Sequence, residues 1–330
     1  MVLSFTDRGI FCEAGGFFID PWRPVDKALI THGHSDHARA GHRRYMATEA
    51  AAPAIRHRLG VKVDTVAFGE VRRIGGADVS FHPAGHVPGS AQIRVEVAGE
   101  VWVVSGDYKT EPDGLSEPFE PVRCHAFISE CTFGLPVFNW QPQAAIMAQI
   151  NAWWAANAAE GRVSVIGAYS LGKAQRILAN VDPIGPILTH GAVEATNRVL
   201  REQGLRLPDT TWAGPDVGVT PGALVVAPPS ALGTPWASRF GPSAQAFASG
   251  WMALRGVRRR RGLSQGFVMS DHADWRGLND AICATGAERV FVTHGYTAPF
   301  RRWLADQGYD AGVVETEYEG DDAEDIEVIE

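Results

Sequence analysis

Short apolar runs that break into glycine or polar residues recur along the first part of the chain. GGFFIDPW, KALITHGH, ADVSFHPAGH, IRVEVAGEVWVVSGDY and CHAFISECTF each hold apolar residues over a strand's length and then turn into a loop. They predict β-strands with reactive side chains at the strand exits, where layered α/β folds place their chemistry because a rigid sheet aims the loop. The texture changes near residue 140. QAAIMAQINAWWAANAAE has helical composition, VSVIGAY is a buried-strand candidate, and LGKAQRILANV follows as a helix. THGAVEATNRVLREQG, ALVVAPPSAL and QAFASGWMAL continue the alternation, and GFVMSDHADW and RVFVTHGY then return to strand followed by histidine. The expectation is an α/β protein in three pieces: residues 1–140 as the first part of a core, 141–262 as an inserted α/β domain, and 263–330 as the rest of the core with an acidic tail, EGDDAEDIEVIE.

Composition adds limits to this picture. At 330 residues and 45% hydrophobic, the chain can bury one large core or two medium ones. A net charge of -8 excludes a uniformly basic surface, so a polyanion would be held by a local patch or by metal. LRGVRRRRG, with Arg255, Arg258, Arg259, Arg260 and Arg261, is the densest basic run. HRR at 42–44, RHR at 56–58 and Arg301 with Arg302 add to it. Such a run reads as a phosphate-binding patch or as a solubilising loop. The four cysteines form no C-x-x-C pair, the N-terminus lacks a basic start followed by an apolar stretch, and no run reaches about eighteen apolar residues. These features give an expectation of a cytoplasmic protein with no membrane association.

The stretch THGHSDH carries the strongest chemical signal. It crowds His32, His34, Asp36 and His37 into one loop, and imidazoles this close repel when protonated and gain little unless a metal holds them. His86 in PAGHVPGS, Asp107 in VVSGDY and His294 in FVTHGY bring the donors to seven. Two metals about 3.5–4 Å apart, sharing one carboxylate, need roughly that inventory. Singly, His86 and His294 also read as structural histidines, and Asp107 as a turn aspartate.

H-x-H-x-D-H after a strand, followed by single His and Asp residues after later strands, resembles the metallo-β-lactamase superfamily, and Asp20 in FFIDPW matches its structural acidic position. SECTFG with Glu130, SDHAD with His272 and VTHG with His294 look like motifs A, B and C of the β-CASP nuclease group. The resemblance implies a metallo-β-lactamase αβ/βα sandwich with an inserted β-CASP α/β cap domain. YSLGKAQRI looks like a stretch common in such caps. The resemblance further implies two Zn2+, with Mn2+ as an alternative activating metal: His32, His34 and His86 on one, Asp36, His37 and His294 on the other, Asp107 bridging. It makes Asp36, His272 and Glu130 catalytic, with His272 as general acid and Glu130 as its orienting partner. Tyr169, Ser170 and Lys173 are candidate phosphate contacts, and Trp236 and Trp251 are candidate base platforms or core residues.

Within the group, the short chain together with SDHADW and ASGWM most resembles the bacterial ligase-associated DNA exonucleases. That implies a nuclease acting on single-stranded DNA or DNA ends in repair, beside an ATP-dependent DNA ligase and a helicase. The histidine of motif C is shared with the RNA-processing members, so a ribonuclease is the alternative. A nucleic-acid-binding subunit without catalysis and a thioester hydrolase of the same superfamily are weaker alternatives, given the complete donor set and the inserted domain.

Overall fold

The computed structural model describes residues 1–256 and 265–315. Two compact units result: Met1–Asn139 with the described residues from His272 onward, and Trp140–Asp271. The first unit opens with β1 (Ser4–Thr6), β2 (Gly9–Cys12), β3 (Phe17–Ile19), β4 (Lys27–Leu29), β5 (Arg44–Thr48), helix α1 (Ala52–Leu59) and β6 (Val63–Val66). These six strands form one sheet in chain order, antiparallel from β1 to β3 and parallel from β3 to β6. β7 (Arg72–Ile74), β8 (Ala77–Pro83), β9 (Ala91–Val97), β10 (Glu100–Val104) and β11 (Ala126–Cys131) follow.

The second unit contains α2 (Gln143–Ala159), β12 (Ser164–Gly167), α3 (Lys173–Leu178), β13 (Ile187–Thr189), α4 (Gly191–Glu202), β14 (Thr211–Trp212), β15 (Leu224–Ala227), α5 (Pro235–Ser238), β16 (Ala244–Ala248) and β17 (Gln265–Phe267). Its sheet runs β14-β13-β15-β12-β16-β17 with every pairing parallel. Parallel strands buried on both faces need apolar residues at consecutive positions, which LVVA of β15 supplies. Leu224 and Val226 face Ile146, Ile150 and Trp154 of α2, whereas Val225 lies in a second cluster with Val165, Leu188 and Phe240. Ile146, Ile150 and Trp154 recur at four-residue steps and so share one face of α2. A boundary at 262 falls short of β17, which hydrogen-bonds to β16 and carries this sheet to Phe267.

The chain then returns to the first unit through α6 (Trp275–Thr285), β18 (Arg289–Gly295), α7 (Thr297–Asp306) and β19 (Asp310–Val313). The second sheet of that unit has the order β19-β18-β11-β10-β9-β8-β7. EVWVV of β10 shows how alternation builds the layers. Trp102 and Val104 enter a core shared with Ile10, Phe17, Ile19 and Leu29 of the first sheet, while Val101 and Val103 turn toward Leu278, Ile282, Phe300 and Leu304 of α6 and α7. On the first sheet, Ile55 of α1 packs with Tyr45 and Ala47 on the face away from that core. No helix among the described residues is long and apolar enough to cross a membrane.

Candidate metal centre

The C-terminal ends of β4, β8, β10 and β18 carry the seven expected donors, all in the first unit. His32, His34, His86 and Asp107 gather with one donor atom each within 4.8 Å of the others, as do Asp36, His37 and His294, and Asp107, Glu130 and His272. Ligand atoms about 2.0–2.1 Å from a tetrahedral metal lie roughly 3.3–3.4 Å from one another. His37 Nε2 stands 3.3 Å and His32 Nε2 3.5 Å from Asp107 Oδ2, and His37 Nε2 is 3.6 Å from Asp36 Oδ2. His86 Nε2 lies 3.7 Å from the same Asp107 oxygen and 3.0 Å from His34 Nδ1. Such separations suit ligands of a shared ion, and one Asp107 oxygen lies 3.3–3.7 Å from His32, His37 and His86.

A carboxylate behind the histidines sets which nitrogen faces inward. Asp20 Oδ2 accepts from His37 Nδ1 at 2.8 Å and from the Thr31 hydroxyl at 2.6 Å, and its Oδ1 accepts the Thr31 N–H at 2.8 Å. With its proton given to Asp20, Thr31 Oγ1 can accept from His32 Nδ1, 3.1 Å away. Both rings therefore carry their proton outward and turn Nε2 inward. His32 Nε2 and His37 Nε2 are buried with no hydrogen-bond partner, which suits atoms meant for a metal. The backbone is shaped to fit: Asp20 adopts φ 41°, and Gly106 at φ 56° passes so close that a Cβ would stand 2.7 Å from Thr31.

The charges point the same way. Burial and the imidazoles of His37 and His86 hold His32 well below its ordinary pKa, leaving its lone pair available. Burial alone would lower His37, but Asp107, Asp36 and Asp20 outweigh it and hold that ring well above its ordinary value. Burial pushes the Asp107 carboxyl up, and His37 and His272 overcome this to hold it well below the usual range.

Glu130 and His272 form a separate pair at the edge of this site. The Glu130 carboxylate is fully buried, accepts the N–H groups of Tyr108 at 3.0 Å and Thr132 at 3.2 Å, and lies 2.9 Å from His272 Nδ1. The His272 ring sits 4.7 Å from that of His86. Ala273 N–H donates to the Tyr108 carbonyl at 2.7 Å, so the segment bearing His272 is tied to the segment bearing Asp107. His294 adopts φ 55° and precedes Gly295, where a Cβ would come within 2.3 Å of Thr132.

The expected nucleic-acid contacts are more dispersed. In the second unit, Lys173 is buried with Nζ 3.7 Å from Asp271 and 4.4 Å above the Tyr169 ring, and Ser170 is also buried. Arg255 is exposed, Trp251 is buried, and Arg258, Arg259, Arg260 and Arg261 lie outside the described residues. Arg43 and Arg44 pair with Asp26, and Arg56 donates to the Val63 carbonyl at 2.7 Å, so parts of the HRR and RHR runs serve the protein itself. Thr31, bonded to the Asp20 carboxylate, was not singled out in the sequence, and Arg58 was read only as part of the basic RHR run, because its carbonyl partners in the ligand loop leave no mark in residue spacing.

No family model matches the chain. A probable DNA ligase of Opitutus terrae is 28% identical over 313 residues, which is 93% of this chain and 30% of that protein. Ribonuclease TTHA0252 of Thermus thermophilus is 30% identical over 148 residues, covering 36% of this chain and 34% of that protein. The chain thus spans about a third of the length of these curated relatives, at 30% and 34%. A crystal structure of a protein of unknown function from Enterococcus faecalis V583 matches with a TM-score of 0.61 at 11% identity, over 89% of this chain and 80% of that one, and shows a shared fold. These likenesses agree with the resemblance of the H-x-H-x-D-H loop and of the Glu130, His272 and His294 motifs to the metallo-β-lactamase superfamily and its β-CASP group.

Proposed function

We propose that the protein is a two-zinc phosphodiesterase acting as a DNA exonuclease, trimming single-stranded DNA or DNA ends in repair. The observation that carries this reading is the occurrence of two donor clusters, one holding Asp107 and the other reaching the same carboxylate through His37 at 3.3 Å, beside a buried Glu130–His272 dyad. Two divalent ions in those clusters would make water nucleophilic at neutral pH and offset the charge that builds on an attacked phosphate. His32, His34 and His86 would hold one and Asp36, His37 and His294 the other. Glu130 keeps the His272 ring aligned and favours its protonated form, so that His272 can give a proton to the departing sugar oxygen.

The rest of the reading builds on that site. The first unit, with two sheets around one core and helices against the other face of each, supports the αβ/βα sandwich, and we take Trp140–Asp271 as the β-CASP cap. Arg255 and the run Arg258–Arg261 are proposed to hold substrate phosphates, with Tyr169, Ser170 and Lys173 as further contacts. The relative named a probable DNA ligase supports DNA as substrate; an ATP-dependent ligase and a helicase are proposed as partners. Four free cysteines support a cytoplasmic setting. A ribonuclease is the second reading, favoured by the 30% identity to a ribonuclease over 148 residues. Matched DNA and RNA oligonucleotides labelled at either end, incubated with the zinc-loaded protein and with its Asp107→Ala variant, decide between them. Shortening of DNA alone, lost in the variant, supports the exonuclease; cleavage of RNA with DNA spared replaces it with the ribonuclease.

A further inference from the structure

RHR at 56–58 reads as surface charge, yet Arg58 has a different use. From the end of α1 its Nε donates to the Gly33 carbonyl at 3.0 Å, and one terminal nitrogen donates to the His34 carbonyl at 3.2 Å and to the Ala38 carbonyl. One guanidinium therefore joins both ends of the loop that carries the donors. Between Gly33 and Ala38 lie Asp36 and His37 of one cluster, while His34 belongs to the other. The loop also closes on itself through Ala38 N–H to His34 C=O at 2.9 Å. α1 is a firm base for the clamp, since Ile55 and Ala52 are fully buried in a cluster with Ala38, Tyr45 and Ala47.

We infer that Arg58 is a positioning residue that sets the spacing between the two donor clusters by bracing the Gly33–Ala38 loop from behind. The inference rests on the reading of the seven donors as a metal site. The guanidinium holds donors on separate nitrogens in a fixed plane and so spans the Gly33, His34 and Ala38 carbonyls; a lysine's three N–H groups all radiate from one flexible nitrogen. The second cluster depends on the clamp more than the first, because Asp36 and His37 both lie inside the braced segment whereas His32 and His86 lie outside it. Outer partners of metal ligands typically change metal affinity by about 10–100-fold when removed.

The test is a titration of metal-free protein with Zn2+ against a chromophoric chelator, beside thermal unfolding of the same metal-free samples. Arg58→Gln is expected to weaken the lower-affinity ion by about 10–100-fold while shifting the higher-affinity ion less, with the unfolding temperature of the metal-free protein little changed. Arg58→Lys should fall between wild type and Arg58→Gln. Arg56→Gln, on the same helix but bonded to Val63, should match wild type. Equal affinities for wild type and Arg58→Gln would overturn the positioning role alone. A metal-free Arg58→Gln protein that melts early and weakens both ions equally would make Arg58 a general stabiliser and overturn it too. Wild-type protein that takes up no zinc would overturn the metal reading itself, a result distinct from either.

Discussion

The two donor clusters are made of similar residues and are built very differently. In the first, the rings of His32, His34 and His86 stand 4.7–4.8 Å apart in every pairing and nearly perpendicular, at 80–87°. Three imidazoles so disposed form a tripod converging on one point, with His32 and His86 fully buried. In the second, His37 and His294 lie almost parallel, 5.2 Å apart at 28°, and Asp36 and His294 are half-buried. The His294 backbone is left-handed, a cost usually of about 1–3 kcal/mol for a non-glycine residue in a sparsely populated region. The first cluster is ready before any ion arrives, whereas the second is assembled from a loop and a strained strand end. The first ion should accordingly bind more tightly, and the second should be the one that exchanges.

Breaking the element common to both clusters should have the largest effect. Asp107→Ala removes the carboxylate that His32, His37 and His86 all face, so at least one bound zinc should be lost and nuclease activity should fall to background. Elemental analysis after gel filtration, with an end-labelled oligonucleotide assay, checks it; two retained ions would remove Asp107 from the bridging position. His272→Ala separates chemistry from binding. It should keep both ions and lower cleavage by about 10²–10⁴-fold, and undiminished turnover would take His272 out of the proton-donor role.

A third change tests the inequality of the clusters directly. His294→Ala takes one arm from the second cluster and leaves the tripod intact, while the left-handed backbone still carries a Cβ. One ion should remain, held as tightly as in wild type. His86→Ala should do the reverse and cost the tighter ion. Equal losses of affinity in the two variants, read by chelator competition, would mean that the clusters do not differ in the way their geometry indicates.

Legibility from sequence followed the same divide between local and distant. H-x-H-x-D-H declares itself because four donors within six positions have few other uses. Glu130 and His272 lie 142 residues apart and meet only through the pairing of separate segments, so residue spacing carries no trace of their contact and only the family resemblance pointed to it. Much of the strand and helix alternation was readable because LVVA, EVWVV and AFISEC are apolar at consecutive positions over strand lengths. Which sheet a strand joins was less so. The short run QGF of β17 looks the same whether it pairs with β16 or with the first unit, and its register is decided by partners far away in sequence. Arg58 was misread as surface charge because its partners are carbonyls.

The smallest expected effect concerns the carboxylate behind the second cluster, and it can be tested almost without disturbing shape. Asp20 is surrounded by donors only: the Thr31 N–H on one oxygen, and the Thr31 hydroxyl and His37 Nδ1 on the other. An asparagine there keeps the size and tolerates the left-handed backbone at φ 41°, but it replaces one acceptor with an NH2 group that faces a donor whichever way the amide is turned. If the amide nitrogen faces Thr31 N–H, two donors oppose each other across a buried bond; if it faces His37, the ring loses the acceptor that keeps Nε2 inward. Asp20→Asn should therefore weaken the second ion by about 10–100-fold and leave the tripod's ion nearly unaffected, since His32 is tied to Asp20 only through Thr31. Stepwise zinc titration reads the two affinities separately. Equal weakening of both ions would show that Thr31 transmits the loss to His32, and the clusters would then have to be treated as one unit with Asp20 at its root.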